Sequence, residues 1–166
     1  DLPGHCIHAG FLSNVPVFAD AGGSIFRLDG ALKETPAHQG LLCAAETLDR
    51  RLLLTGGEDG KVIATTASGE TKDIGAIPRK WITSVAAGPN NSIAFASGKT
   101  AVYVDGAGKS VEQANERSIE GVALAPKGAR LAAARYNGVT LTFPGTAAKP
   151  VELEWKGAHN AVCFSP

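Results

Sequence analysis

The chain repeats itself about every forty residues, and that period restricts the folds open to it more than any other feature. The clearest copy reads Arg-Arg-Leu-Leu-Leu-Thr-Gly-Gly-Glu-Asp-Gly-Lys-Val-Ile-Ala (50–64), and its upstream neighbour reads Val-Phe-Ala-Asp-Ala-Gly-Gly-Ser-Ile-Phe (17–26). Gly23 and Gly60 lie 37 residues apart, as do Cys6 and Cys43. A second signature closes on proline at Pro89, Pro126 and Pro166, each time after an apolar run built around Val85, Val122 or Val162. The anchors Cys6, Cys43, Val85, Val122 and Val162 thus step by 37, 42, 37 and 40 residues. A period of this size with short strands marks an array in which each unit buries its apolar face on its neighbours.

Each copy carries four strand-like runs. They are Cys6–Leu12, 15–19, 24–28 and 33–35 in the first copy, and Leu41–Glu46, 51–55, Lys61–Thr66 and 70–74 in the second. The third has 82–87, 92–96, 101–105 and 110–113, and the fourth has 119–125, 130–134, 139–143 and Val151–Glu154. Turn residues separate them: Gly22-Gly23, Asp59-Gly60, Gly98-Lys99 and Asn137-Gly138 stand where hairpins are needed. Asp59-Gly60 and Asn137-Gly138 suit a turn with positive φ at both central residues. No dozen-residue window shows capped helical periodicity. Twenty Gly and nine Pro fit a turn-rich, all-β chain. Four antiparallel strands, recurring, favour a propeller over a sandwich, whose topology does not recur at this spacing.

These residues resemble the WD-40 repeat family. Val-Ala-Leu-Ala-Pro-Lys-Gly (122–128) and Val-Cys-Phe-Ser-Pro (162–166) are similar to its innermost strand. Leu-Leu-Leu-Thr-Gly-Gly-Glu-Asp-Gly-Lys-Val (52–62) is similar to its second strand, turn and third strand. The Trp-Asp pair that names the family is replaced by Leu28-Asp29, Thr66-Ala67, Val104-Asp105 and Phe143-Pro144, and its Gly-His pair survives as Ala37-His38. The resemblance implies an all-β, WD-40-type β-propeller segment of about four four-stranded antiparallel blades across residues 1–166, with the start of a fifth. It also implies a hydrogen-bond chain through His38, Thr55 and Asp59, in which the Asp59 carboxylate accepts from the imidazole. That chain is structural; no strained nucleophile turn surrounds Thr55 to support a catalytic triad.

The sequence begins at Asp1, contains no Met and stops at Pro166 inside a signature, so a part of a larger protein is expected. Further repeats of the same polypeptide, closing a ring of about seven blades, or a second copy of the chain, would then complete the propeller. Sixteen basic and sixteen acidic residues cancel, which argues against nucleic acid or an anionic membrane as partner. No apolar run approaches the ~20 residues of a membrane span. Three cysteines at no metal-finger spacing point to reduced thiols and a cytoplasmic setting. No cofactor motif is present.

Two groups of residues could carry function. His5, Cys6 and His8, with Cys43 one repeat on, offer thiolate and imidazole to zinc or copper. Alternatively, Cys6 and Cys43 are small core residues aligned with Val85, Val122 and Val162. In the family, the loops leading into the innermost strands line one face of the disk. There Pro78-Arg79-Lys80-Trp81 gathers a guanidinium, an ammonium and an indole, and Arg117 and Tyr136 add a second cation and an exposed aromatic. Arg and aromatic residues dominate binding energy at interfaces, though Trp81 could equally pack between blades. The functional expectation is a non-catalytic scaffold that binds a protein or peptide through Arg79, Lys80, Trp81, Arg117 and Tyr136. The alternatives are a metal-handling propeller and a purely structural assembly element.

Overall fold

The computed structural model describes residues 2–165. Pro166, which closes the last repeat signature, lies outside them, as does Asp1.

The chain forms sixteen strands in four sheets, each an antiparallel meander in chain order. The first sheet comprises β1 (Cys6–Leu12), β2 (Val15–Asp20), β3 (Ser24–Asp29) and β4 (Ala31–Pro36). The second comprises β5 (Leu41–Glu46), β6 (Leu52–Gly57), β7 (Lys61–Thr66) and β8 (Thr71–Ala76). The third comprises β9 (Ser84–Ala87), β10 (Ile93–Ser97), β11 (Thr100–Val104) and β12 (Ser110–Ala114). The fourth comprises β13 (Ile119–Leu124), β14 (Leu131–Arg135), β15 (Gly138–Thr142) and β16 (Val151–Glu154). The only helical turn among the described residues is a short 3-10 turn at Pro89–Asn91.

The composition of each strand follows its place in the sheet. β6, β10 and β14 are paired on both edges and covered on both faces, so they read Leu-Leu-Leu-Thr-Gly-Gly, Ile-Ala-Phe-Ala-Ser and Leu-Ala-Ala-Ala-Arg and are almost wholly buried. The outermost strands β4, β8, β12 and β16 carry the charges and are largely exposed. Charged residues on a free edge discourage pairing with other chains.

The residues fall into two compact units, 2–82 and 83–165. In the first, Leu12, Val17, Ala19, Ile25, Leu41 and Leu53 pack the first sheet on the second. In the second, Ala94, Ala96, Ala101, Ile119, Val122, Leu131 and Ala133 pack the third sheet on the fourth.

Strand register corrects the repeat alignment. Cys6 faces Asp20, Leu41 faces Gly57 and Ile119 faces Arg135, and each pairing is followed by a bulge before His8, Cys43 and Gly121 resume the ladder. Cys6 is therefore the counterpart of Leu41 and His8 that of Cys43; the two cysteines are not equivalent. The expected strand over 82–87 begins at Ser84, whose ladder partner is Ala96. Ile82 precedes it, donating its N–H to Gly57 O at 3.0 Å, as Leu41 donates to Ala21 O at 3.1 Å and Ile119 to Gly98 O at 2.8 Å. At Leu41 and Ile119 the bond ties the start of a sheet to the preceding hairpin of the same unit.

The hairpins are also corrected. Gly60 has φ +77°, but Asp59 stays in the ordinary region, with Gly60 N–H donating to Gly57 O at 3.2 Å. Asp59 is thus free to use its side chain. In the fourth sheet Arg135 faces Gly138, so the tip is Tyr136-Asn137 rather than Asn137-Gly138.

Candidate functional site

The hydrogen-bond chain of the second sheet begins at His38, whose imidazole is fully buried. Its Nδ1–H donates to Asp59 Oδ1 and Oδ2 at 3.0 and 3.1 Å, and Nε2 accepts from the Thr55 hydroxyl at 2.9 Å. Asp59 Oδ1 also accepts from Lys61 N–H at 3.1 Å, tying the imidazole to the β6–β7 turn. An added Cβ on Gly57 would stand 2.5 Å from His38 Nδ1, so glycine is required for the ring to lie against this turn. Thr55 is completely buried. No substrate can reach its hydroxyl, so the three residues brace the loop between the first and second sheets.

His5, Cys6, His8 and Cys43 do not converge on a metal. Among the described residues no three His, Cys, Asp or Glu side chains cluster to hold one. His8 Nε2–H instead donates to Glu46 Oε1 at 3.3 Å, and Glu46 Oε1 also accepts Phe11 N–H at 3.2 Å. The Cys6 thiol donates to the carbonyl of His8 at 3.2 Å. The Cys43 thiol donates to Ile82 O at 3.4 Å, and burial pushes its pKa up to about 12. A thiol held that firmly is a poor source of the thiolate a metal needs. His8, Cys43 and Ser84 occupy one structural position: His8 reaches Glu46 of β5, Cys43 reaches Ile82 O, and Ser84 Oγ accepts the N–H of Val122 in β13 at 3.0 Å. At Gly121 the same place is filled by backbone, since an added Cβ would lie 3.2 Å from Ala161 Cα.

The five binding candidates divide between the units. Arg79, Lys80 and Trp81 lie in the turn that closes the first unit. Arg79 adopts φ +62° and Trp81 is 58% exposed. Arg117 and Tyr136 belong to the second unit, where the guanidinium lies over the Tyr136 ring at 5.6 Å from its centroid. Arg117 opens onto a groove of about 860 Å³ between β12 and the outer strands of the fourth sheet, with Gln113, Thr140, Glu152, Trp155 and Lys156 among its walls. Arg135 in that wall is held by Glu152 and by Thr140 Oγ1 at 3.0 Å. Thr140 Oγ1–H in turn donates to Glu152 Oε2 at 2.9 Å. Arg135, Thr140 and Glu152 escaped the sequence reading, because their meeting depends on β14, β15 and β16 aligning in register. The alternation Arg135, Thr140, Glu152 on one sheet face was the available signal.

No protein-family model matches the sequence, and no curated protein matches it either. Its structure, however, is similar to many solved chains. A chain in the crystal structure of a mitotic checkpoint complex aligns with a TM-score of 0.75 at 15% identity, over 99% of this chain and 57% of that one. A streptogramin B lyase aligns with a TM-score of 0.76 at 12% identity, over 98% and 61%. The chain thus spans about three fifths of the length of these two neighbours. This is a β-propeller segment. The fold hosts both a member of a protein assembly and an enzyme, so task must be read from the site.

Among the described residues no helix is long and apolar enough to cross a membrane.

Proposed function

We propose that the chain is a non-catalytic propeller scaffold of WD-40 type, working in the cytoplasm, that binds a protein or peptide segment. The observation that carries this reading is Arg117, which lies over the Tyr136 ring and lines a polar groove in the second unit. A guanidinium lying over an aromatic ring within cation–π reach is partly ordered before a partner arrives, which lowers the entropic cost of binding. The turn with Arg79, Lys80 and Trp81 supplies a second candidate surface of the kind that carries hot spots. Recognition residues placed on loops of a rigid β-scaffold are the arrangement expected of a binding module.

The non-catalytic part of the reading rests on access. Thr55, beside His38 and Asp59, is completely sealed, and Thr140, beside Glu152, is buried as well. Neither hydroxyl can serve as a nucleophile toward an outside substrate. Further repeats of the same polypeptide, or a second copy of the chain, would cover the sheet faces that bear Phe18 in the first sheet and Val139 and Leu141 in the fourth.

Panning a random twelve-residue peptide library on the immobilised protein tests the reading. Selected peptides should bind in solution and fall into those that lose at least tenfold in affinity with Arg117→Ala and those that do so with Trp81→Ala. Failure of the library to yield any saturable binder, or turnover of a hydrolase or lyase substrate panel, would overturn it.

A further inference from the structure

The groove at Arg117 is the upper end of a longer opening. It shares Gln113 and Pro150 with a second cavity of about 140 Å³, which Tyr103, Thr142 and Phe143 also line. Tyr103 in turn borders a third cavity of about 440 Å³ between the turns at Pro89 and Pro126. The seam between the third and fourth sheets is therefore recessed along its outer side from one set of turns to the other. Strands here run five residues, or roughly 17 Å of extended chain. A recess of that length fits about five residues of an extended segment.

The charges along the upper end distinguish what such a segment must present. Arg135 and Glu152 satisfy each other. Arg117 and Lys156 have no carboxylate within 4.0 Å among the described residues, and both line the groove. Glu116 and Glu154 are unpaired there too, but no side-chain contact fixes either. Arg117 alone of these four lies over an aromatic ring, and its fork suits a bidentate carboxylate. Trp155, 74% exposed on the same rim, offers an apolar surface beside it.

Resting on the peptide-binding reading above, we propose that the seam between the third and fourth sheets takes an extended peptide segment whose Asp or Glu side chain pairs with Arg117. Lys156 reinforces the acidic preference, and the neighbouring residue of the segment packs on Trp155. Binding then weakens as salt screens the pair.

The test uses an array of hexapeptides with one position fixed as Asp or Glu, as Asn or Gln, or as Lys or Arg, and the other five randomised. Hits are resynthesised with a fluorophore and titrated by polarisation. The acidic set is expected to bind, Asp→Asn or Glu→Gln in the peptide to cost at least tenfold, and Arg117→Ala in the protein to cost the same. Arg117→Lys should recover only part of the loss, and Lys72→Ala, on the exposed outer strand of the second sheet, should change nothing. Binders drawn from the basic or amide sets, or acidic binders indifferent to Arg117→Ala, overturn the proposal. Binding that instead depends on Arg79 and Trp81 overturns the seam assignment while leaving the peptide-binding reading intact. An array without binders removes both.

Discussion

The two units each bring two sheets together, yet they close the space between them differently. In the first unit, Arg27 of β3 reaches from one sheet to the other. It is 6% exposed, donating to Ala67 O at 3.2 Å in the β7–β8 turn and to Thr35 Oγ1 at 3.1 Å. Gly69 lies directly against the guanidinium, with φ +94°. In the second unit, the matching position is Tyr103: Arg27 faces Val17 and Tyr103 faces Ala94, each two ladder positions before the residue pairing with His8 or Ser84. Tyr103 makes no such bridge and borders two of the cavities that form the seam. Inner cores differ as well, with Leu, Ile and Val in the first unit and four alanines in the second. One seam is filled for stability; the other keeps polar walls apart, which is where a ligand site can exist.

The sharpest way to break this comparison is to empty the filled seam. Leu53 is fully buried in the first core, and Leu53→Ala should cost about 2–5 kcal/mol of unfolding free energy in urea titration. A loss below 1 kcal/mol would mean that the first seam is not the stabilising one.

Next in size is the hydrogen-bond chain. Asp59→Ala leaves the buried His38 Nδ1–H without its acceptor, an omission that costs about 1–3 kcal/mol. The melting temperature should fall, while affinity for any peptide bound through Arg117 should stay the same. Gly69→Ala should produce a loss of similar size, about 1–3 kcal/mol, because the new methyl meets Arg27 and the φ is left-handed. If Gly69→Ala is neutral, Arg27 does not seal the seam.

A pH dependence follows from Cys43. Its thiol is raised from 9.0 to about 12 by burial, so the folded state keeps a proton that the unfolded state releases in between. Stability from this group is complete below pH 9 and is lost as pH rises from 9 towards 12. Denaturant titrations at pH 8 and pH 10.5 should show a decline that Cys43→Ala reduces. Alkylation at pH 8 should label exposed Cys6 well before Cys43.

The smallest effect is expected at Thr65. Its hydroxyl is buried with no partner, so the near-isosteric Thr65→Val should be neutral or stabilise by up to about 1 kcal/mol. Destabilisation by more than that would indicate a hidden partner for the hydroxyl.

Much of the fold was legible because strand period, turn residues and burial speak locally. All sixteen strands overlap a run readable from alternating apolar residues and Gly-bearing turns, β9 lying wholly inside the expected 82–87. The equivalence of Cys6 with Cys43 was misread for a definite reason. Matching by residue identity puts Cys6 on Cys43, whereas the ladders pair His8 with Ala19 and Cys43 with Gly56 at the same position, two places away. The turn at Asp59-Gly60 was misread because aspartate tolerates positive φ, while here its carboxylate is engaged with His38 and Lys61 instead. Of the binding residues, Arg117 and Tyr136 were each visible as exposed types in loops. That one lies over the ring of the other was not, since they stand 19 positions apart with β13 and β14 between them.

The sequence by itself determined the all-β meander, the number of strands in each unit, and which strands are buried, because these depend on period-two patterning and turn chemistry within a few residues of each other. Only the tertiary structure decided that one seam is sealed by Arg27 and the other left open at Tyr103. Both residues are compatible with a strand facing a neighbouring sheet. Whether such a side chain closes a gap or borders one depends on the turn opposite it, some forty residues further along the chain: Ala67 for Arg27, the stretch from Phe143 to Ala148 for Tyr103.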